Sequence, residues 1–118
     1  MSEVNVGKWS GIEHRRHKRV ALGVPIECRQ GETVVQARAE NLSVSGLLVR
    51  SKEEFEADTE LMVSFLLPGS NAAIRSRARV AHLVPGAFMG LELLDLKAAM
   101  LQQIEQYVAA SVPLVKAK

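Results

Sequence analysis

Six nitrogen-bearing side chains follow one another without interruption in the stretch IEHRRHKRV: His14, Arg15, Arg16, His17, Lys18 and Arg19. A row of cations cannot be core, because each buried charge would need its own partner. The run belongs at the surface, and the chemistry open to it is anion recognition. A second concentration of polar groups lies in ENLSVSGLLV, where Asn41, Ser43, Ser45 and Gly46 separate two apolar runs. Asn and Ser side chains hydrogen-bond nearby backbone, and glycine permits a positive φ or the close approach of another group. Read alone, this segment is a turn.

Other chemistries find no support in the sequence. Ser43 and Ser45 lack the flanking glycines of a nucleophile elbow and have no His–Asp pair nearby. Neither a P-loop nor a GxGxxG sequence is present, and Glu53, Glu54, Glu56 and Asp58 form a loop run of the solvated kind. The single cysteine, Cys28, allows no internal disulfide, and His14, His17 and His82 show no metal-ligand spacing with it. The sequence therefore points away from an enzyme and a metal site. The net charge is only +2, although the basic run carries Arg15, Arg16, Lys18 and Arg19 of the 15 basic residues. The basic character is local. The run has the charge for a nucleic acid or an anionic membrane surface but no aromatic platform beside it.

The chain has 118 residues, enough for one core. No segment approaches the ~20 apolar residues of a membrane span. MSEVNVGKWSG lacks the apolar run of ~7–15 residues of a signal peptide, and a cytoplasmic location is expected. Residues 1–11 lack periodicity and read as a flexible tail, with Trp9 as its anchor on apolar surface. From Leu22 onward the pattern has period two. Val24, Ile26 and Cys28 alternate with Pro25, Glu27 and Arg29, a turn at Gly31 follows, and Val35, Ala37 and Ala39 form the return strand. Cys28 reads as a small core hydrophobe.

Further strands are expected at Leu47–Val49, Leu61–Leu67, Ile74–Val84 and Phe88–Leu94, the last two joined by a type II turn at Pro85–Gly86. Arg75, Arg77 and Arg79 read as a solvated strand face, and His82 as structural. Six short antiparallel strands manage their edges best by closing into a barrel. The period then changes. Asp95 is placed to cap a helix over 96–110 with Leu96, Met100, Leu101, Ile104, Tyr107 and Val108 on one side, which packs across a barrel opening or against a partner. Residues 111–118 read as a C-terminal tail. The expected fold is all-β with a C-terminal helix, a six-stranded antiparallel barrel over 22–94.

Arg15-x-x-x-Arg19 followed by Asn41-x-Ser43-x-x-Gly46, with a later MGLEL at Gly90, resembles the signature of the PilZ family, RxxxR and then [D/N]xSxxG. The resemblance runs from about Glu13 to Val108. It implies a domain over 12–110 that binds the second messenger cyclic di-GMP as a ligand, with no cofactor. Arg15 and Arg19, on a mobile segment at 12–20, would fold over the ligand, because arginine forks onto phosphate or guanine O6/N7 and also stacks on a base. Asn41, Ser43 and Gly46 would form the seat, with Asn41 accepting from the guanine N–H edge, Ser43 bonding the ligand or holding the turn, and Gly46 leaving room for the purine. His14, Arg16 and Gly90 would add secondary contacts. Asn41 stands where the family more often has Asp and lacks the charge that strengthens such a bond. The resemblance also implies an adaptor that signals to an effector protein in trans. The alternative is an interaction module of the same type, without ligand, on pilus or motility machinery.

Overall fold

Alternation of apolar and polar residues becomes six strands in the computed structural model, which describes residues 18–111. In chain order the elements are β1 Val20–Gln30, β2 Thr33–Leu42, β3 Gly46–Arg50, β4 Glu60–Leu66, β5 Ala73–Val84, β6 Phe88–Leu94 and the helix α1 Ala98–Ala110. All strand pairs are antiparallel, and the sheet closes as β1-β2-β3-β6-β5-β4 with β4 returning to β1. Ile26, Leu42, Leu47, Ile74, Met89 and Leu91 fill the interior, each at 1% exposure or less. Register shifts at Ala21/Val24, Ala39/Asn41 and Val80/His82 supply the local twist that lets six strands curl shut. Pro85 and Gly86 turn β5 into β6. Gly86 takes φ +77°, and the Ala87 N–H donates to the Val84 carbonyl at 3.0 Å, the geometry of a type II turn.

Antiparallel order fixes which loops share an end of the barrel. The start of β1, the β2–β3 turn, the β4–β5 connection and the end of β6 lie together. The helix α1 covers this end. Its Ile104 and Val108 are buried in the core, Leu96, Met100 and Tyr107 pack against that core, and the Tyr107 hydroxyl donates to the Ala21 carbonyl at 3.2 Å. Of the two expectations for this helix, packing across an opening is the one observed. No helix among the described residues is long and apolar enough to cross a membrane.

Two local expectations need correction. Asp95 does not cap the helix. It takes a left-handed backbone (φ 52°), its carboxylate is held by Arg77, and the helix starts after Lys97, which makes no side-chain cap bond. The Arg77 partner on β5 outcompetes the free N–H groups of the helix, because a charge-assisted pair is stronger than a cap to backbone. Arg77 and Arg79 are likewise not simply solvated. Arg77 also pairs with Glu60 at 2.7 Å, and Arg79 bridges Asp58 at 2.8 Å and Glu92. The acidic loop run is also partly engaged, since Glu54 accepts from the Gly86 N–H and Asp58 meets Arg79.

Cys28 is fully buried in β1, as expected of a small core hydrophobe. Burial, and then the neighbouring Glu27 carboxylate, push its thiol up from 9.0 to about 12. The native protein should therefore resist a thiol reagent at pH 8 and react only once unfolded. The sign for stability follows from linkage. An unfolded thiol ionises near 9.0 while the native one stays neutral, so this contribution is intact below pH 9 and lost between pH 9 and about 12. Cys28→Ala should flatten that alkaline decline, measured as urea midpoint against pH.

Candidate ligand site

The β2–β3 turn is built from its own hydroxyls. The Ser43 N–H donates to the Gly46 carbonyl at 2.9 Å, the buried Ser43 Oγ accepts from the Ser45 N–H at 3.2 Å, and the two serine hydroxyls lie 3.1 Å apart. Ser43 thus holds the turn. The Leu93 N–H donates to the Ser45 carbonyl at 2.9 Å and fastens the turn to β6.

Gly46 answers to the same closeness. A Cβ there would stand 2.5 Å from the Leu91 carbonyl oxygen, a backbone atom that cannot swing aside. The barrel itself requires this glycine, independently of any ligand. Gly46→Ala should lower stability by about 1–3 kcal/mol through overpacking, read as a drop in urea midpoint. An unchanged midpoint would mean that β3 and β6 separate at no cost.

Asn41 sits at the register shift of β2, opposite Ala21 on β1 and Leu48 on β3. Leu48 faces Gly90 on β6, and Gly90 faces His82 on β5. Cross-strand partners project from the same face, and the neighbouring Leu42, Leu47 and Leu91 point into the core. Ala21, Asn41, Leu48, Gly90 and His82 therefore form one row across the outer face of the barrel, and Ala21 and Asn41 lie near the end that carries the Ser43–Gly46 turn. The row has one unusual atom. The side-chain carbonyl oxygen of Asn41 is buried and has no hydrogen-bond partner among the described residues. Buried polar atoms are nearly always paired, and leaving one unpaired costs about 1–3 kcal/mol. An acceptor held in this way is poised for a donor.

Arg19 is half-buried and directly precedes Val20, which stands opposite Leu42. It lies at the same end as the turn and two residues from Ala21. The structure thus brings Arg19, Asn41, Ser43 and Gly46 to one end of the barrel and places Gly90 in the row beside Asn41. Arg15, Arg16 and His14 lie outside the described residues, as do His17 and Trp9. Leu48 and His82 share the row but were not distinguishable as neighbours of Asn41 in the sequence. Their position follows from the pairing of β3 with β6 and from the shift at Val80/His82, neither of which is written locally. No group of His, Cys, Asp and Glu suited to a metal ion occurs among the described residues.

Several solved structures share this fold. The Bacillus subtilis inhibitor of motility MotI/DgrA superposes with a TM-score of 0.71 at 21% identity, over 80% of this chain and 49% of that one. The PilZ domain of Escherichia coli YcgR, solved with c-di-GMP, gives 0.67 at 11% identity over 82% of this chain and 90% of that one. The Borreliella burgdorferi PlzA protein, solved in complex with c-di-GMP, gives 0.64 at 17% identity over 92% of this chain and 50% of that one. The chain thus spans about half the length of MotI/DgrA and of PlzA. No curated protein matches the sequence. The PilZ domain model matches residues 13–110, and the chain belongs to the PilZ domain family.

Proposed function

We propose that this protein is a cyclic di-GMP receptor that passes the signal to a partner protein in trans. The observation that carries the reading is the buried, unpartnered carbonyl oxygen of Asn41, in the row beside Gly90 and near Arg19. A guanine presents an N–H edge that this acceptor fits. The two phosphates of the ligand fit Arg15 and Arg19, whose guanidinium groups also stack on a base. Residues 12–20 close over the seat, Ser43 and Gly46 keep the turn in shape beneath it, and His14, Arg16 and Gly90 add secondary contacts. The YcgR PilZ domain and PlzA, both solved with c-di-GMP, share the fold and so support the reading.

Calorimetric titration with cyclic di-GMP tests it. At tens of micromolar protein the expected result is saturable heat with a micromolar or tighter Kd, about 8 kcal/mol or more. The affinity should fall only mildly with salt. Neutralising about four phosphates of duplex DNA with the basic run would instead give a slope near −3.6 in log affinity against log salt. Neither heat nor thermal stabilisation from a folded sample would reject the receptor and leave the interaction module. Retention of DNA with indifference to the dinucleotide would assign the run to polyanions.

A further inference from the structure

The outer face of β4 alternates Glu60, Met62, Ser64 and Leu66. Outward strand faces are ordinarily polar, yet Met62 and Leu66 are 43% and 48% exposed, more than any other large apolar side chain among the described residues. Ser64, between them, stands opposite Arg75 on β5. Arg75 differs from the other arginines on the outer strand faces. Arg29, Arg38, Arg50, Arg77 and Arg79 each hold a carboxylate, whereas Arg75 has no ion pair among the described residues. Glu27, which stands opposite Ser64 in the same cross-strand row, is taken by Arg29 at 3.0 Å. β1 pairs with β4 only through Glu27–Arg29 against Met62–Ser64, so Leu66 lies beyond the paired stretch.

The place of this patch matters as much as its make-up. In the barrel order β4, which carries Met62 and Leu66, is the strand farthest from β3 and its Leu48, and Arg75 sits beside it on β5, seven residues before His82 of the row. The helix α1 touches both the patch and the row. Met100 Sδ accepts from the Arg75 N–H at 3.4 Å, and the Tyr107 hydroxyl reaches Ala21, the cross-strand partner of Asn41.

We propose that Met62, Leu66 and Arg75 form the docking surface for a partner protein, and that the docking segment presents a carboxylate beside apolar side chains. The free guanidinium sets the sign of the charge, and the two bare side chains call for apolar contact around it, a mixture of Arg and Met typical of interface centres. A second copy of this chain is the wrong occupant. A two-fold contact through the same patch would bring in a second Arg75 and, from Met62, Leu66 and Arg75 themselves, no carboxylate for either. A lone phosphate would use the arginine and leave Met62 and Leu66 unused.

None of Met62, Leu66 and Arg75 belongs to the proposed seat of the dinucleotide, so the test omits it. A random peptide library displayed on phage is selected against the immobilised 118-residue protein, and the strongest peptide is titrated by fluorescence anisotropy. Selected sequences should share an Asp or Glu flanked by apolar residues. Binding should weaken about tenfold with Arg75→Glu and with Met62→Asp, and stay unchanged with Val84→Ser, an exposed apolar position at the other end of the barrel. Exchanging the acid of the peptide for lysine should recover binding to Arg75→Glu, which also demonstrates that the variant is folded. Cyclic di-GMP titrations of Arg75→Glu should match those of the unaltered protein, which keeps this outcome separate from that of the receptor. Peptides without a shared acid, indifference to Arg75→Glu and Met62→Asp, or a dimer in sedimentation that Met62→Asp dissolves would each overturn the proposal.

Discussion

Replacing Ile104 by alanine should destabilise the protein by about 2–5 kcal/mol, the cost of emptying a fully buried aliphatic site. Ile104 has no exposed surface, and it enters the same core as the barrel residues Leu42, Leu47 and Leu91. The helix is therefore part of the barrel core and does not merely rest upon it. For a domain of roughly 100 residues each kcal/mol moves Tm by about 4–8 °C, so the shift is large and easily measured. Urea denaturation should show a lower midpoint with an unchanged slope, since the same surface is exposed on unfolding. Gln102→Ala, on the exposed side of the same helix, should leave the midpoint within about 0.5 kcal/mol. If Ile104→Ala cost no more than Gln102→Ala, the helix would be an appendage held by a partner.

Arg15→Ala and Arg19→Ala should each weaken cyclic di-GMP binding by about 1.5–3 kcal/mol, the range for hydrogen bonds to charged groups. Their melting temperatures should barely move, because both residues precede β1 in the sequence and Arg19 does not belong to the core. Asn41→Ala separates binding from stability more sharply. It removes a buried acceptor that has no partner, so the ligand-free protein should be no less stable, and binding should still fall. The three variants together report the site by titration and thermal melting. Loss of folding in Arg15→Ala or Arg19→Ala would make the arginines structural. Unchanged binding in all three would place the ligand elsewhere.

The strands were legible in the sequence because their information is local. Alternation of period two marks which residues face inward, and it places β6 at Phe88–Leu94 and the β5–β6 turn at Pro85–Gly86. Cys28 could be read as core for the same reason, since it falls on the apolar phase between Ile26 and the turn. The resemblance to the PilZ signature likewise rests on short stretches, and the family match confirms it.

What the sequence left open depends on atoms distant along the chain. The reason for Gly46 is the Leu91 carbonyl, 45 positions away, and it exists only because β3 lies beside β6. Asp95 had the sequence position of a helix cap, but the fold brings Arg77 to it and an ion pair wins over a backbone bond. Arg77 and Arg79 looked like a solvated face until β4 and β6 supplied Glu60 and Glu92 on either side. The row joining Asn41, Leu48, Gly90 and His82 arises from three pairings and two register shifts, and a shift of one residue turns every side chain to the other face. Local periodicity thus determined which residues are buried, and barrel closure alone decided which surface residues meet, because pairing between distant strands is set by the whole core and not by any one segment.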